Sequence, residues 1–335
     1  MLTLGIETSC DETACSVVLN GKRILSNVIA TSLEDHKPYG GVIPEIACRS
    51  HVESIAPVLE ESLRKAKVSL DDIQLIASTY GPGLPGSLLV GLSTAKAISF
   101  AKEIPLVGVD HIQAHLYACL MVDRPPSFPL MGLVISGGHT SLFWMKDFHR
   151  FKRIAETQDD ACGEAFDKVA KMLELGYPGG PLVEKRAREG NPQVIPLPLP
   201  KLNEPSLDFS FSGIKTAVLY KVRELAHTRT LARTVMNDIC ASFQHVVIET
   251  LIRNALLACR RHRCQTLLVG GGVSANQALR SEFQTRFRRE GLKVLFPPKG
   301  LSLDNAAMVA GLGYRLYQKG IRSSLELSCE PLGAR

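Results

Sequence analysis

Short apolar segments alternate with longer amphipathic ones along most of this chain. The short segments predict β-strands, because they are rich in Val, Ile and Leu and end at polar or glycine-rich turns. They cover residues 3–7, 14–19, 75–80, 106–109, 130–136, 141–146 and 266–269. The longer segments repeat apolar residues at helical spacing and predict helices over 44–66, 87–101, 111–121, 235–261 and 304–318. This alternation indicates an α/β protein with parallel strands in its core.

A proline-rich segment, Arg124-Pro125-Pro126-Ser127, interrupts the pattern and predicts a hinge. The layout of strand, polar turn and strand that opens the chain is repeated directly after it, which predicts a duplicated unit. We expect an N-terminal lobe over 1–127, with a helix at about 306–320 packing back on it, and a C-terminal lobe over 128–305.

Composition sets limits on the class of protein. The hydrophobic fraction of 45% over 335 residues supports globular lobes and argues against a disordered chain. The first residues lack the basic start and long apolar run of a signal peptide, and no apolar segment is long enough to span a bilayer. The nine cysteines are scattered without a CxxC pair, which excludes a disulfide framework or a thiolate zinc site. These features predict a soluble cytoplasmic protein.

Charged residues are unevenly distributed along the chain. The formal net charge is +6, and arginines are dense between residues 253 and 289. Such a balance permits a polyanionic partner, although most clustered charges belong to the solvated faces of helices.

Two histidines four residues apart, His111 and His115, stand where a predicted strand passes into a helix. This spacing places both imidazoles on one face of the helix, which suits two ligands of one divalent metal. The alternative is two unrelated histidines, one capping and one packed, but a strand end favours a site. Asp304, at the start of the last predicted helix, is our candidate third ligand, with an ordinary helix N-cap as its alternative role.

The pair does not have the sequence of a zinc metallopeptidase. Such an enzyme carries a glutamate next to the first histidine as its general base. Here that position is Ile112, followed by Gln113. Peptidase chemistry would need a base from elsewhere in the chain.

Glycine-rich loops end two of the predicted strands. Ser136-Gly137-Gly138-His139-Thr140 leaves backbone N–H groups uncovered, as an anion requires, and Gly270-Gly271-Gly272 leads through Asn276 into a helix N-terminus. With the polar turn at 8–13 they favour a nucleotide in a cleft between the lobes. Neither loop fits the P-loop or the Rossmann fingerprint.

Two further features suit a sugar or base. Asp167 is placed to contact a ligand hydroxyl, with the solvated start of a helix as its ordinary explanation. Tyr177-Pro178-Gly179-Gly180-Pro181 is a rigid turn with bare backbone that a ligand can approach.

Taken together, the motifs resemble the bacterial tRNA N6-adenosine threonylcarbamoyltransferases (TsaD type), formerly described as O-sialoglycoprotein endopeptidases. The matching segments run in order through nearly the whole chain. They are 5–13, 39–45, 81–83, 110–115, 136–140, 163–168, 177–181, 211–216, 270–276 and 304–308.

The resemblance implies a two-lobed actin/Hsp70/sugar-kinase-like (ASKHA) fold with duplicated RNase-H-like lobes. It implies one divalent metal on His111, His115 and Asp304, with Fe(II) favoured and zinc, magnesium or manganese as alternatives. Its substrate contacts map onto Val134, Ile135, Ser136, Gly137, Gly138, Asp167, Gly180, Glu184 and Asn276. Glu184 departs from the aspartate usual there, and Ser32, Cys162 and Ser274 are milder departures.

The implied reaction moves the threonylcarbamoyl group of threonylcarbamoyl-AMP to N6 of the adenosine 3′ of the anticodon in tRNAs that read ANN codons, and releases AMP. Asp11 and Glu12 are the clustered acids that we consider for removal of the N6 proton. The alternatives are a metallopeptidase acting on glycoproteins and an ATP-hydrolysing or sugar-kinase-like enzyme; a kinase would hold Mg²⁺ mainly through carboxylates.

The resemblance also implies partners: tRNA, threonylcarbamoyl-AMP, a paralogous subunit (TsaB type) and an ATPase subunit (TsaE type), with no membrane. The predicted helix 87–101, apolar on much of its circumference, is our candidate partner surface, and a buried core helix is the equal alternative.

Overall fold

The computed structural model describes residues 1–200, 206–225 and 231–331. They form two compact units. Unit 1 comprises Met1–Pro125 and the described residues from Pro297 onward, and unit 2 comprises Pro126–Phe296.

The described residues form ten strands and ten α-helices. The strands are β1 (Leu2–Glu7), β2 (Glu12–Leu19), β3 (Arg23–Thr31), β4 (Leu75–Gly81), β5 (Leu106–Asp110), β6 (Leu130–Ile135), β7 (Thr140–Met145), β8 (Phe151–Glu156), β9 (Thr266–Gly270) and β10 (Lys293–Leu295). The helices are α1 (Leu33–His36), α2 (Pro44–Ala66), α3 (Pro85–Lys102), α4 (His111–Ala118), α5 (Cys162–Met172), α6 (Gly179–Ala187), α7 (Ser212–Leu225), α8 (Arg233–His262), α9 (Gln277–Arg289) and α10 (Ala306–Gln318).

The sheet of unit 1 has the strand order β3-β2-β1-β4-β5. β1, β2 and β3 pair antiparallel, whereas β4 and β5 continue parallel to β1. Apolar side chains of the strands, such as Leu4, Ile6 and Val17, form a core with α2 and α3. Helix α10 lies directly against β1, because a Cβ at Gly5 would stand only 2.2 Å from the carbonyl oxygen of Ala306.

The sheet of unit 2 has the order β10-β9-β6-β7-β8. Read from the other edge it repeats unit 1: three antiparallel strands in sequence, then two strands parallel to the first. The predicted α/β class and duplication are therefore confirmed. The core of this unit joins the sheet to α5, α7, α8 and α9.

Three sequence expectations change in detail. Residues 297–305, expected in the C-terminal lobe, belong to unit 1, because Asn305 caps α10 and its neighbour Asp304 reaches α4. Helix α4 ends at Ala118 rather than at residue 121. The edge strands β3 and β8 were not predicted. Exposed Ile24 and Ile29 and buried Ser26 hide the strand period in β3, and consecutive exposed basic residues hide it in β8.

In the part of the chain that the structure describes, no helix combines the length and apolarity needed to cross a membrane.

Candidate functional site

The pair His111 and His115 owes its placement to the junction of β5 and α4. Asp110 ends the strand and caps the helix, its carboxylate accepting from the backbone N–H of Gln113 at 2.9 Å. The helix therefore begins at His111, and the two imidazoles lie one turn apart with ring centroids 4.6 Å apart. Both residues are buried.

Asp304 completes this group from the segment before α10. The N-cap of α10 is Asn305, whose side chain accepts from the N–H of Met308 at 3.0 Å, so the capping role considered for Asp304 is taken by its neighbour. The Oδ1 atom of Asp304 stands 3.0 Å from Nε2 of His115 and 3.6 Å from Nε2 of His111. One ligand atom from each of the three residues fits within 4.8 Å of the other two.

This donor set fits a divalent metal. Two imidazole nitrogens and one carboxylate oxygen converge, and such a mixed set suits Fe(II), Zn(II) or Mn(II) better than Mg²⁺. The geometry thus supports a divalent metal site on His111, His115 and Asp304.

Glu7, at the end of β1, fixes the orientation of His111. Its buried carboxylate stands 3.2 Å from Nδ1 of His111 and accepts from the N–H of Ser9 at 2.6 Å and from the hydroxyl of Thr79. A carboxylate on Nδ1 holds the proton there and leaves Nε2 free as a ligand. Sequence reasoning missed Glu7; the available signal was an acid at the end of a strand whose other residues, apart from Thr3, are apolar or glycine.

The electrostatics of the site favour a cation. Burial lowers the pKa of His111, but the carboxylates of Asp304 and Glu7 outweigh burial and raise it to about 9. Burial, Asp304 and Asp11 raise the pKa of Glu12 to about 10. The same acids, together with burial, raise the pKa of the Cys10 thiol well above its ordinary range. The carboxylates therefore repel one another, and a cation would relieve this repulsion.

Asp11 lies half-buried in the turn between β1 and β2, and Glu12, also half-buried, is the first residue of β2. A buried histidine that the sequence analysis passed over, His51 on α2, holds this turn: its Nε2 lies 2.9 Å from the carbonyl oxygen of Cys10 and its Nδ1 lies 2.7 Å from the Thr13 hydroxyl. The backbone N–H and hydroxyl of Ser32 donate to the carbonyl of Asp11. The turn is therefore a fixed part of the site.

In unit 2, the loop after β6 carries the predicted anion-binding glycines. The N–H of Ser136 donates to the carbonyl of His139 at 2.8 Å, which closes the loop. Gly137 and Gly138 are exposed at its tip, and a Cβ on either would meet nothing within 4 Å. The backbone here is open to a ligand.

Val134 and Ile135, also predicted to contact substrate, lie within β6 with fully buried side chains. They can shape the loop but do not present a side chain. Strand β6 brings the loop that follows it next to the loop after β9, since a Cβ at Gly271 would stand 2.4 Å from the carbonyl oxygen of Ile135. The two glycine loops predicted separately are thus neighbours.

Asp167 and Gly180 meet at the start of α6. The Asp167 carboxylate accepts from the N–H of Gly179 at 2.7 Å. Burial raises its pKa, although the N–H groups of Gly179 and Gly180 act in the opposite direction. Asp167 therefore orients the Gly179-Gly180 turn, and a Cβ at Gly180 would meet open space.

Glu184 and Asn276 meet at the start of α9. Oε1 of Glu184 accepts from the N–H of Gln277 at 3.1 Å and from Arg188 at 2.8 Å. Asn276 caps α9 by accepting from the N–H of Leu279 and donates to Gln244 at 2.8 Å. The longer side chain of Glu184 thus reaches a backbone donor, and both residues hold this loop in place. Their contact with a substrate stays a prediction.

This chain is a two-unit α/β protein in which a group of two histidines and one carboxylate lies at the carboxyl end of a parallel strand. Solved structures share the fold. Full-length HypF in its phosphate- and nucleotide-bound form aligns with a TM-score of 0.63 at 14% identity, covering 97% of this chain and 56% of that one. Component A of the (R)-2-hydroxyglutaryl-CoA dehydratase of Acidaminococcus fermentans aligns with a TM-score of 0.55 at 15% identity, covering 94% and 98%. The ASKHA fold is therefore confirmed.

Sequence comparison gives the family. A family model described as tRNA N6-adenosine threonylcarbamoyltransferase (TsaD) matches residues 23–311. Curated relatives of that name are 48% identical in Symbiobacterium thermophilum (98% of this chain, 96% of the relative), 48% in Protochlamydia amoebophila (99% and 97%) and 49% in Bacillus cereus (98% and 95%). This chain belongs to the tRNA N6-adenosine threonylcarbamoyltransferase family, and the resemblance expected from its motifs is confirmed.

Proposed function

We propose that this chain transfers the threonylcarbamoyl group of threonylcarbamoyl-AMP to N6 of the adenosine 3′ of the anticodon in tRNAs that read ANN codons, with release of AMP. The observation that carries the proposal is the convergence of His111, His115 and Asp304 in a member of this family. The donor and the position of the target adenosine come from the resemblance of the motifs.

The chemistry explains why such a site is needed. The N6 amine of adenosine is a weak nucleophile, because its lone pair is delocalised into the ring. The donor is a mixed anhydride whose leaving group, AMP, carries negative charge. The protein must hold amine and donor in a reactive orientation and stabilise the charge that develops on oxygen.

We assign metal binding to unit 1. His111, His115 and Asp304 would hold the ion, Fe(II) being the metal that the resemblance favours, and Glu7 keeps the Nε2 atom of His111 available to it. When bound, the cation supplies Lewis acidity toward an acyl or phosphate oxygen. Asp11 and Glu12 belong to the same acidic cluster. Burial and the neighbouring acids raise the pKa of Glu12 to about 10, which keeps this carboxyl protonated at neutral pH, so we assign acceptance of the N6 proton to Asp11.

We assign recognition of the adenylate to unit 2. The exposed backbone of Gly137 and Gly138 suits an anionic group of the donor. The open turn at Gly180, oriented by Asp167, suits the ribose, and the loop at Asn276, held by Glu184 through Gln277, suits the adenine end.

The two alternative functions lack such support. Ile112, in the position of the metallopeptidase glutamate, is buried and apolar. The solved structures resemble this chain at 14 and 15% identity, which shows a shared fold and not a shared ATPase activity.

We further propose that the chain works with a paralogous subunit (TsaB type) and an ATPase subunit (TsaE type), as the resemblance implies. Helix α3 leaves Leu89 and Phe100 exposed, at 52% and 74% of their surface, which supports this helix as a partner surface.

The test is a transfer assay with purified protein, partner subunits, synthetic threonylcarbamoyl-AMP and an unmodified tRNA that reads an ANN codon. Mass spectrometry of the digested tRNA should show the modified adenosine with the wild type and with His245→Ala, an exposed histidine on α8. His111→Ala should lose it. Equal modification by His111→Ala would exclude the assigned role of the site.

A further inference from the structure

The positive charge of the chain is concentrated in one segment. Residues 253–293 contain nine Lys and Arg and two Asp and Glu, a formal charge of +7, whereas the whole chain carries +6. None of the residues assigned above to the metal or the donor accounts for this concentration.

The fold gathers most of these charges at one edge of the unit 2 sheet. Helices α8 and α9 both end in a basic turn, and each then leads into a parallel strand. The strands β9 and β10 begin side by side, with Thr266 paired to Lys293. Arg260, near the end of α8, reaches Glu290 at the end of α9 with an N–O distance of 2.5 Å. Two basic helix ends therefore lie together.

The same edge continues across β7 and β8. The Trp144 ring has the His262 ring at 5.7 Å and the Lys146 ammonium at 4.8 Å, and Lys152 pairs with Trp144 across the strands. We call this surface the basic edge and define it as Lys146, Lys152, Arg263, Arg288, Arg289 and Lys293. It crosses five strands, which at about 4.8 Å between neighbours makes it about 19 Å long.

The charges of the basic edge are largely uncompensated. Arg260 and Arg286 have carboxylate partners in Glu290 and Glu249. By contrast, all six residues of the basic edge are exposed, and within 1–200, 206–225 and 231–331 none of them forms an ion pair. Attraction to the carbonyls at the helix ends explains part of this clustering. The remaining like charges repel one another, which favours a partner that brings several negative charges at once.

We propose that the basic edge binds phosphates of the tRNA backbone, an inference that rests on the proposed function. The edge lies at the amino ends of β9 and β10, while the loops assigned to the donor follow the carboxyl ends of β6 and β9, about 16 Å away along a five-residue strand. Contacts here would position the RNA without taking part in transfer, as phosphate contacts generally do. An elongated nucleic acid can supply anions over this whole length.

The test compares two triple variants with equal loss of charge. One is Arg263→Gln/Arg288→Gln/Arg289→Gln, and the control is Lys22→Gln/Arg23→Gln/Lys67→Gln in unit 1. Lys67 matches Arg263, since both follow a helix in the left-handed conformation with φ of 58° and 53°. Binding of fluorescent, unmodified tRNA is measured by anisotropy across a salt series.

We expect the basic-edge variant to lose roughly tenfold or more in affinity at low salt, and its plot of log K against log salt to become shallower by about three. The control should keep wild-type affinity and slope. Unchanged binding by the basic-edge variant, or an equal loss in the control, would overturn the proposal. The proposal would also be overturned if polyglutamate displaced the tRNA as effectively as unlabelled RNA does, because the surface would then suit an acidic protein.

Circular dichroism checks folding. If the triple variant unfolds, Arg288→Gln/Arg289→Gln replaces it, with an expected slope change of about two.

The transfer assay separates the proposal for the basic edge from the proposed function. A wild type that binds tRNA through the basic edge but does not modify it contradicts the proposed function alone. Efficient modification by the wild type together with unaffected tRNA binding by the basic-edge variant contradicts only the proposal for the basic edge. If the basic edge does bind tRNA, the variant should show a higher KM for tRNA in the transfer assay.

Discussion

Glu7→Gln is the perturbation that tests the site most finely, because it changes one atom of a residue that would not touch the metal. The carboxylate of Glu7 accepts from Ser9 and Thr79 and holds the proton on Nδ1 of His111. If the glutamine oxygen keeps the short contact with Ser9, its amide N–H₂ faces Nδ1 of His111. A carboxylate acceptor at Nδ1 is thereby replaced by an amide donor, and only the Ser9 hydroxyl, 3.1 Å away, is left to accept a proton from Nδ1. The change therefore shifts the ring proton toward Nε2, the atom needed by the metal.

The magnitude follows from the charges around His111. Its pKa rises from 6.5 to about 9, which corresponds to about 3 kcal/mol of net favourable interaction with Asp304 and Glu7. Removal of a carboxylate behind a ligand histidine typically lowers metal affinity tenfold to hundredfold, about 1.4 to 2.7 kcal/mol, which is less than this total. We expect a loss in this range.

The assay titrates metal-free protein with Zn(II) against a chromophoric chelator, and follows Co(II) binding by its visible spectrum. Glu45→Gln, an exposed acid at the start of α2, is the matched control and should bind like the wild type. Binding by Glu7→Gln within twofold of the wild type, with an unchanged Co(II) spectrum, would refute the argument that Glu7 orients His111.

Three further predictions concern stability. Because Asp304 and Glu7 raise the pKa of His111 in the folded state, their interactions with His111 stabilise the metal-free protein fully below about pH 6.5, and this contribution is lost as pH rises through about 9. Urea midpoints across this range should fall, and they should fall less in Glu7→Gln, which removes the part due to Glu7. Gly271→Ala places a Cβ 2.4 Å from the Ile135 carbonyl oxygen at a φ of 87° and should cost more than about 2 kcal/mol, whereas Gly213→Ala, with open space around its Cβ, should not; equal urea midpoints would contradict this. In Glu184→Asp the side chain is too short to keep the hydrogen bond from the N–H of Gln277, and the free energy of unfolding should fall by about 1 kcal/mol. Glu184→Gln keeps the length of the side chain and should keep this hydrogen bond. A denaturation curve unchanged by Glu184→Asp would exclude the contact.

The sequence predicted the parts of this protein that depend on local pattern. The strands from β4 to β7, the helix beginning at His111 and the repeated layout follow from periodicity and turn residues. The likeness of the motifs then indicated the family, which the relatives confirm.

The rest depends on contacts between distant segments. Glu7 acquires its role only when β1 lies beside β4, which brings Thr79 to its carboxylate, and when α4 supplies His111. Asp304 faces His115, and the next residue, Asn305, takes the N-cap of α10 in its place. Likewise, the sequence shows that Glu184 departs from the aspartate usual at this position, but the hydrogen bond that it accepts from the N–H of Gln277 requires the packing of unit 2. No local pattern contains these relations.

The most direct test of the central claim is single-turnover transfer by metal-stripped protein, with Fe(II) then added back. We expect stripped wild type to form no modified adenosine and to recover when the metal is restored, whereas His115→Ala should stay inactive at Fe(II) concentrations that restore the wild type. Transfer by stripped protein at the full rate, or by His115→Ala as fast as by the wild type, would contradict it.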